Sequence, residues 1–283
     1  MVHRKAAIVF TILLGGILAE VLPAAQQTDR TVFVPVNVIG DANAAVTGLK
    51  PENFQLFEDN KEQKITSFSP ENAPLSVSII LGAGAMVRSD RVSEKIMESV
   101  DAFKKTGNRA NEYFVDPYPS TGVEDAIARG LDKLAGAKNR RKVLVMFIDN
   151  FDTPANPEQG ALESAMKQDI PIYFMFIKNQ FFRFSGTPTT AEDTGAYPIS
   201  WMNVFENVAS DTGGRVINAE PMGNLQDESV KLADELKNQY VLGFTPSSDA
   251  RTDKWRNLKV TVKGVSGQQK AVVRFKKRYF AFR

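Results

Sequence analysis

The chain contains no cysteine, and its only histidine is His3, close to the first residue. The absence of cysteine excludes disulfide bonds, thiolate nucleophiles and zinc sites built on sulfur. A single histidine near the start also leaves no Ser-His-Asp or Cys-His relay and no histidine-rich metal centre. Any catalytic chemistry would have to use carboxylates, lysine or tyrosine, so a non-enzymatic protein is expected.

The chain also lacks an excess of charge of either sign, because 35 lysine and arginine residues are balanced by 33 aspartate and glutamate residues. Such a balance gives no general attraction to nucleic acids or anionic membranes. One locally basic stretch, Arg274–Arg283, alternates cations with aromatic residues. A terminal strand with one face in solvent explains that pattern, so no nucleic-acid partner is expected.

Residues 1–25 differ in character from the rest of the chain. His3, Arg4 and Lys5 precede the apolar run Ala6–Ala19, and small residues follow at Leu22–Ala25. This order is typical of a secretory signal peptide, and the apolar run is short for a membrane span. We expect cleavage after these residues, a secreted, periplasmic or cell-envelope protein, and no stable membrane span afterwards. Retention as an uncleaved N-terminal anchor is the alternative.

The middle of the chain alternates buried strand patterns with amphipathic helix patterns. Alternation of this kind predicts an α/β fold with a mostly parallel sheet and helices on both faces. The predicted strands are Ser76–Leu81, Glu112–Val115, Val143–Ile148 and Ile172–Ile177. The predicted helices are Arg91–Lys105, Gly122–Leu134, Glu158–Lys167 and Ser200–Ser210.

Three features of this middle part carry a resemblance. The segment Pro74–Met86 (PLSVSIILGAGAM) leads from a buried strand into a loop of small residues, Thr121 precedes a helix pattern, and Val143–Asp149 ends on a carboxylate. Together they resemble the von Willebrand factor type A fold, and specifically the secreted bacterial VWFA-related proteins. The resemblance implies a Rossmann-like α/β domain that binds partners at one edge of its sheet.

Motifs outside the α/β part extend the resemblance over nearly the whole chain after the signal. VTGL at Val46–Leu49 and FQLFED at Phe54–Asp59 match the N-terminal segment of the family. DTGGR at Asp211–Arg215, QYVLGFTP at Gln239–Pro246 and the strand Lys254–Val262 match its C-terminal part in type and order. The resemblance implies that both chain ends form one small discontinuous β-subdomain.

Strand patterns at the N-terminal end fit this organisation. Thr31–Ile39 alternates valine with other residues, and Phe54–Phe57 with Ile65–Phe68 predicts a β-hairpin around a polar turn. The expected divisions after the signal are an N-terminal β-segment (30–70), the type A α/β domain (74–220), and a helix with a C-terminal β-segment that packs with the first (221–283).

The family's metal-ion-dependent adhesion site is implied only in part. There, an Asp-x-Ser-x-Ser motif, a threonine and a second aspartate hold Mg²⁺, whose open position takes a ligand carboxylate. The threonine falls on Thr121 and the later aspartate on Asp149, but the first motif falls on Leu81, Ala83 and Ala85. Since Mg²⁺ requires near-octahedral oxygen coordination, no bound metal or other cofactor is expected.

The link between the second core strand and the helix that follows it is short. Only Asp116–Ser120 separates the strand pattern at Glu112–Val115 from Thr121, where the resemblance implies a further strand and helix. We expect this shortening to remove a strand from one edge of the sheet or to alter the strand order.

These observations favour a secreted, non-enzymatic module that binds a protein partner through a lapsed metal site. Because ligands of open α/β sheets bind beyond the carboxyl ends of the strands, the candidate contacts lie there. They are Ala83, Gly84, Ala85, Thr121, Asp149, Asn150 and Phe151.

Two alternatives stay open. In a cation-dependent adhesin, Asp149, Thr121 and Asp90 would gather a divalent ion with help from the partner, although Asp90 is more simply the N-cap of the following helix. In a hydrolase, Asp149 and Asp152 would form a carboxylate pair.

Overall fold

The computed structural model describes residues 31–41, 44–82, 91–118, 122–149, 166–177, 199–246, 254–264 and 271–281, without the side chains of residues 149 and 199–201. The strands, in chain order, are β1 (Val32–Ile39), β2 (Phe54–Glu58), β3 (Lys61–Gln63), β4 (Ser67–Ser69), β5 (Leu75–Leu81), β6 (Glu112–Pro117), β7 (Arg141–Asp149), β8 (Ile172–Ile177), β9 (Val216–Ala219), β10 (Tyr240–Phe244), β11 (Lys254–Val262), β12 (Val272–Phe275) and β13 (Arg278–Ala281). The helices are α1 (Arg91–Thr106), α2 (Val123–Ala135), α3 (Ile199–Thr212) and α4 (Leu225–Lys237).

Strands β5 to β9 form a parallel sheet in the order β6-β5-β7-β8-β9. Every side chain of β5 and β8 is buried, including the two serines of β5, Ser76 and Ser78. Burial on both faces is what a central parallel strand between two helical layers requires. The predicted α/β fold, a sheet flanked by helices, is therefore confirmed.

Helices cover both faces of this sheet. Helices α1 and α4 pack on one face with Ile79 and Met175, whereas α2 and α3 pack on the other with Ile80 and Phe174. Neighbouring residues of a strand thus belong to opposite clusters, as the period of two demands. Each apolar side chain buried completely in this way contributes about 1.5–3 kcal/mol to folding. None of the described helices is long and apolar enough to cross a bilayer.

The strand order reverses next to β5. The chain passes from β5 to β6 on one side, then returns across β5 to place β7, β8 and β9 on the other side. Strand β6 is the outermost described strand on its side, and it includes Asp116 and Pro117, the first two residues of the link predicted from the sequence. The reversal makes the space between the ends of β5 and β7 the topological switch point of the sheet.

The remaining strands form two antiparallel four-stranded sheets, in the orders β12-β1-β10-β4 and β13-β11-β2-β3. Each sheet combines strands from both chain ends, because β1 pairs with β10 and β2 pairs with β11. The inner faces of the two sheets share one apolar cluster, which includes Val34, Val36, Leu56, Leu242 and Val260. We call this pair of sheets the β-sandwich.

The predicted hairpin at Phe54–Phe57 and Ile65–Phe68 is wrong in its second strand. Strand β2 pairs instead with the polar strand β3 through a two-residue turn, in which Asp59 and Asn60 have φ values of 43° and 68°. A turn with two left-handed residues matches the twist of a tight hairpin, and Asp and Asn adopt that conformation readily. The chain then crosses to the other sheet, where β4 pairs with β10.

The β-sandwich packs against the α/β part with one edge and one outer face. At the edge, the Lys276 ammonium lies 2.7 Å from the Asp169 carboxylate, and Arg278 is paired with Asp211. Lys167 lies over the Phe280 ring, 4.5 Å from its centroid. The outer face of the sheet β12-β1-β10-β4 faces the amino ends of β5, β7 and β8.

Gly214 provides a test of the packing between α3, β8 and β9. A Cβ atom at this position would lie 1.9 Å from the Ile172 carbonyl oxygen. Because this oxygen belongs to the backbone of β8, it can shift only if the strand shifts with it. We predict that Gly214→Ala lowers the free energy of unfolding by about 3 kcal/mol or more, because such overpacking forces the backbone to shift. Urea denaturation measures this change.

Gly136→Ala is the matched control, because nothing lies within 4 Å of the Cβ position there and the φ angle is −86°. The control should be neutral or stabilise by about 0.4–1 kcal/mol through the unfolded chain. Equal effects of the two substitutions would contradict the close approach at Gly214.

Candidate functional site

The carboxyl edge of the parallel sheet is the first candidate site, and we call it the rim. Leu81 pairs in register with Pro117 on one side and Phe147 on the other. Strand β7 continues past that level to Asp149, which pairs with Ile177 of β8. The chain therefore leaves β5 and β7 next to each other, at the topological switch point.

Backbone hydrogen bonds fix the described part of the rim. The Gly82 N–H donates to the Phe147 carbonyl at 2.8 Å, and the Tyr118 N–H donates to the Leu81 carbonyl at 2.7 Å. Helix α2 begins directly after Gly122, whose φ of 115° lies in the left-handed region that favours glycine. The N-cap of α2 is thus Gly122, next to Thr121 in the sequence.

Of the positions that the resemblance implies for a metal site, Leu81 is the one whose side chain the structure describes. It is 2% exposed and belongs to the apolar cluster between the sheet, α1 and α4. A side chain in this cluster contributes packing and no oxygen ligand. The first position of the implied Asp-x-Ser-x-Ser motif is therefore part of the core.

The other predicted site residues lie outside the described residues, and their arrangement stays a prediction. This applies to the backbone and side chains of Ala83, Gly84, Ala85, Asp90, Thr121, Asn150, Phe151 and Asp152. For Asp149 it applies to the side chain, since its backbone forms the last residue of β7. Within the described part of the chain, no three acidic or histidine side chains gather around one point.

A second candidate site lies at the opposite edge of the parallel sheet, and we call it the basal cleft. It has a volume of about 380 Å³ and separates the amino ends of β5, β7 and β8 from the outer face of the sheet β12-β1-β10-β4. One wall is apolar and consists of Phe33, Pro35 and Val241 from β1 and β10. The facing wall is the segment Lys138–Lys142, which carries four cations.

Arg141 is the most unusual residue of the basal cleft. Its side chain is only 7% exposed, and its two terminal nitrogens donate to the carbonyl oxygens of Ala73 and Leu236, at 2.5 and 2.7 Å. No carboxylate among the described residues pairs with it. Burial of the guanidinium lowers the pKa of Arg141 to about 10, which reflects the cost of a charge without a counter-ion.

Unpaired donor groups are concentrated around the same cleft. Arg141 Nε, Asn139 Nδ2 and Gln239 Nε2 are buried and have no hydrogen-bond partner among the described residues. The Asn37 and Gln239 amides lie beside the Tyr173 hydroxyl, which has no well-oriented hydrogen-bond partner among the described residues. Burial and the Glu235 carboxylate raise the pKa of Tyr173, so its hydroxyl stays protonated.

The carboxylates near the cleft are already engaged. Asp169 is paired with Lys276 at 2.7 Å. Glu112 accepts hydrogen bonds from the Ser76 hydroxyl at 2.8 Å and from the Lys138 backbone N–H at 3.1 Å. The Ser76 hydrogen bond lowers the pKa of Glu112 and keeps it ionised, and Glu112 partly offsets the charge of Lys138 and Lys142. The cleft therefore keeps its positive character mainly at Arg140 and Arg141.

A second cavity, of about 530 Å³, lies between β1 and α4. Its cations are paired, since Arg215 lies 2.8 Å and Arg274 3.8 Å from the Glu235 carboxylate, which also accepts from Asn37 at 3.3 Å. Lys231 is paired with Glu228 at 2.8 Å. Because of this pairing, the cavity has fewer unpaired cations than the basal cleft.

Sequence analysis identified the rim but missed the basal cleft. The run KNRRK at residues 138–142 is a basic segment comparable to Arg274–Arg283, and it is the signal that points to the cleft. Its meaning depends on residues such as Phe33 and Gln239, which are distant in sequence. No family model matches this chain, and no curated protein shows significant similarity to it.

Two buried tyrosines test the assignment of unpaired groups. Tyr173→Phe removes a hydroxyl without a good partner, so we predict an unchanged free energy of unfolding or a gain of up to about 1 kcal/mol. Tyr279→Phe is the matched comparison, because that hydroxyl donates to the buried Glu58 carboxylate. Its loss should cost about 1–3 kcal/mol. Equal costs in urea denaturation would show that Tyr173 has a partner.

Proposed function

We propose that this chain is a secreted, non-enzymatic protein-binding module of the von Willebrand type A kind, whose metal site has lapsed. The partner contacts the rim, through the segments that follow β5 and β7. The candidate contacts are those predicted from the sequence: Ala83, Gly84, Ala85, Thr121, Asp149, Asn150 and Phe151.

The observation that carries this proposal is the position of Leu81. The strand order places the ends of β5 and β7 side by side at the switch point, where open α/β sheets bind their ligands. The last residue of β5 is the position where the resemblance requires a metal-binding aspartate. The residue there is Leu81, whose side chain is buried in the apolar core. Recognition at this edge then depends on apolar and backbone contacts, as in the centres of many protein interfaces.

The expected secretion signal, together with the absence of cysteine and of histidine after it, supports the same proposal. A chain without cysteine, and with one histidine inside the expected signal, has few routes to hydrolysis or group transfer. The alternatives of a cation-dependent adhesin and of a carboxylate hydrolase both rest on Asp149. No observation in the described residues favours either one.

A metal titration separates the module from the cation-dependent adhesin. We predict that millimolar Mg²⁺, Mn²⁺ or Ca²⁺ leaves the melting temperature unchanged relative to EDTA. A site filled at a hundred times its dissociation constant would add about 2.7 kcal/mol, which corresponds to roughly 5–10 °C for a chain of this size. A shift of that size that disappears in Asp149→Asn would support the adhesin instead.

Partner capture tests the rim directly. We predict that the protein, used as bait in an extract of its own cell envelope, retains a specific partner. Phe151→Ala and Asn150→Ala should each reduce this capture about tenfold or more if they are central contacts. Quantitative mass spectrometry of the captured proteins measures the effect.

The controls are Phe57→Ala and Asn238→Ala, which make the same chemical changes away from the rim, on β2 and after α4. Both should leave the captured amount unchanged. Capture that survives every rim substitution would show that the partner binds elsewhere.

A further inference from the structure

The basal cleft combines three features that the proposed function at the rim does not use. It is a cavity of about 380 Å³, within the range of roughly 300–1,000 Å³ that is usual for small-molecule pockets. It has one apolar wall and one cationic wall. Two of its lining residues, Arg141 and Gln239, are more than nine-tenths buried, and the Arg141 Nε–H has no hydrogen-bond partner among the described residues.

The charge of Arg141 is the main argument for an anionic ligand. A buried charge is normally paired with an opposite charge, because desolvation costs several kcal/mol. Here the guanidinium is held in place by two backbone carbonyls, and its third nitrogen, Nε, has no partner in the part of the chain that the structure describes. A fixed cation without a carboxylate is suited to an anion that arrives from outside.

Arg140 places a second cation next to the apolar wall. Its guanidinium lies over the Phe33 ring, 4.9 Å from the centroid, and the residue is exposed. Phe33 and Val241 lie on the outer face of the β-sandwich, which faces the amino ends of the parallel strands. A ligand between the two walls would meet cations on one side and apolar surface on the other.

We propose that the basal cleft binds a small organic anion, with its carboxylate or phosphate group beside Arg140 and Arg141 and its apolar body against Phe33 and Val241. Such a ligand would contact the α/β part and the β-sandwich at once. Its binding would therefore stabilise their packing, since a ligand that binds only the folded chain raises the stability of that state.

Calorimetric titration and thermal melting of the full chain test this proposal with four probes. Benzoate and phenyl phosphate carry the two candidate anionic groups on the same apolar ring, benzamide is the neutral analogue of benzoate, and inorganic phosphate lacks the ring. The buffer contains neither phosphate nor carboxylate and has low ionic strength, because salt screens charged contacts.

We expect saturable binding of benzoate or phenyl phosphate with a rise in melting temperature, and the tighter of the two identifies the anionic group. Benzamide and inorganic phosphate should each bind about tenfold more weakly or worse. Benzamide equal to benzoate, inorganic phosphate equal to phenyl phosphate, or no saturation by either aromatic anion at millimolar concentration would overturn the proposal.

Matched arginine variants locate the binding. Arg140→Gln removes an exposed cation of the cleft and should weaken the bound anion about tenfold, the loss of one charged hydrogen bond. Arg129→Gln removes an exposed arginine of α2 that does not line the cleft, and it should leave the affinity unchanged. Equal effects of the two substitutions would mean that the anion responds to net charge alone. Melting without ligand confirms that both variants are folded.

Discussion

The contact between the α/β part and the β-sandwich is the constraint on which the rest of the fold depends. The chain passes between the two parts through short links, from β4 to β5 and from α4 to β10. Arg141 fixes both links, because its guanidinium donates to Ala73, just before β5, and to Leu236, near the end of α4. Each sheet of the β-sandwich needs strands from both chain ends, so the sandwich is completed only when the α/β part brings those ends together.

The sequence predicted the fold best where one physical signal dominates. Strands β5, β7 and β8 are buried on both faces, so their apolar runs admit few other interpretations. The hairpin after β2 failed for the opposite reason. Its true partner, Lys61–Gln63, is a short polar strand, and the apolar residues Ile65 and Phe68 drew the prediction further along the chain. The two-residue turn at Asp59 and Asn60 carried the correct signal, and it outweighs hydrophobicity because it fixes the register.

The two candidate sites differ in how well they can be predicted from the sequence. The rim follows from strand order, since any residue that ends a parallel strand comes to the same edge, and Leu81 and Asp149 could be placed there in advance. The basal cleft is recognised by buried side chains whose N–H groups lack hydrogen-bond partners among the described residues. The run KNRRK indicates positive charge. Only the packed structure shows that Arg141 is buried with no carboxylate partner among the described residues, and that Gln239, distant in sequence, lines the same cavity. Unmet hydrogen bonds are a tertiary property and leave no local pattern.

The rim and the basal cleft lie at opposite ends of the same strands, with β5 and β7 running from one to the other. Coupling between them would need an element with two discrete arrangements that both ligands bias. Closely packed parallel strands with side chains fixed in two apolar clusters do not supply such an element. An anion bound in the basal cleft would therefore act on the packing of the β-sandwich against the α/β part, and the proposed partner binding at the rim would be independent of it. Each proposal can be tested without the other, because no described element links the two sites through a change of arrangement.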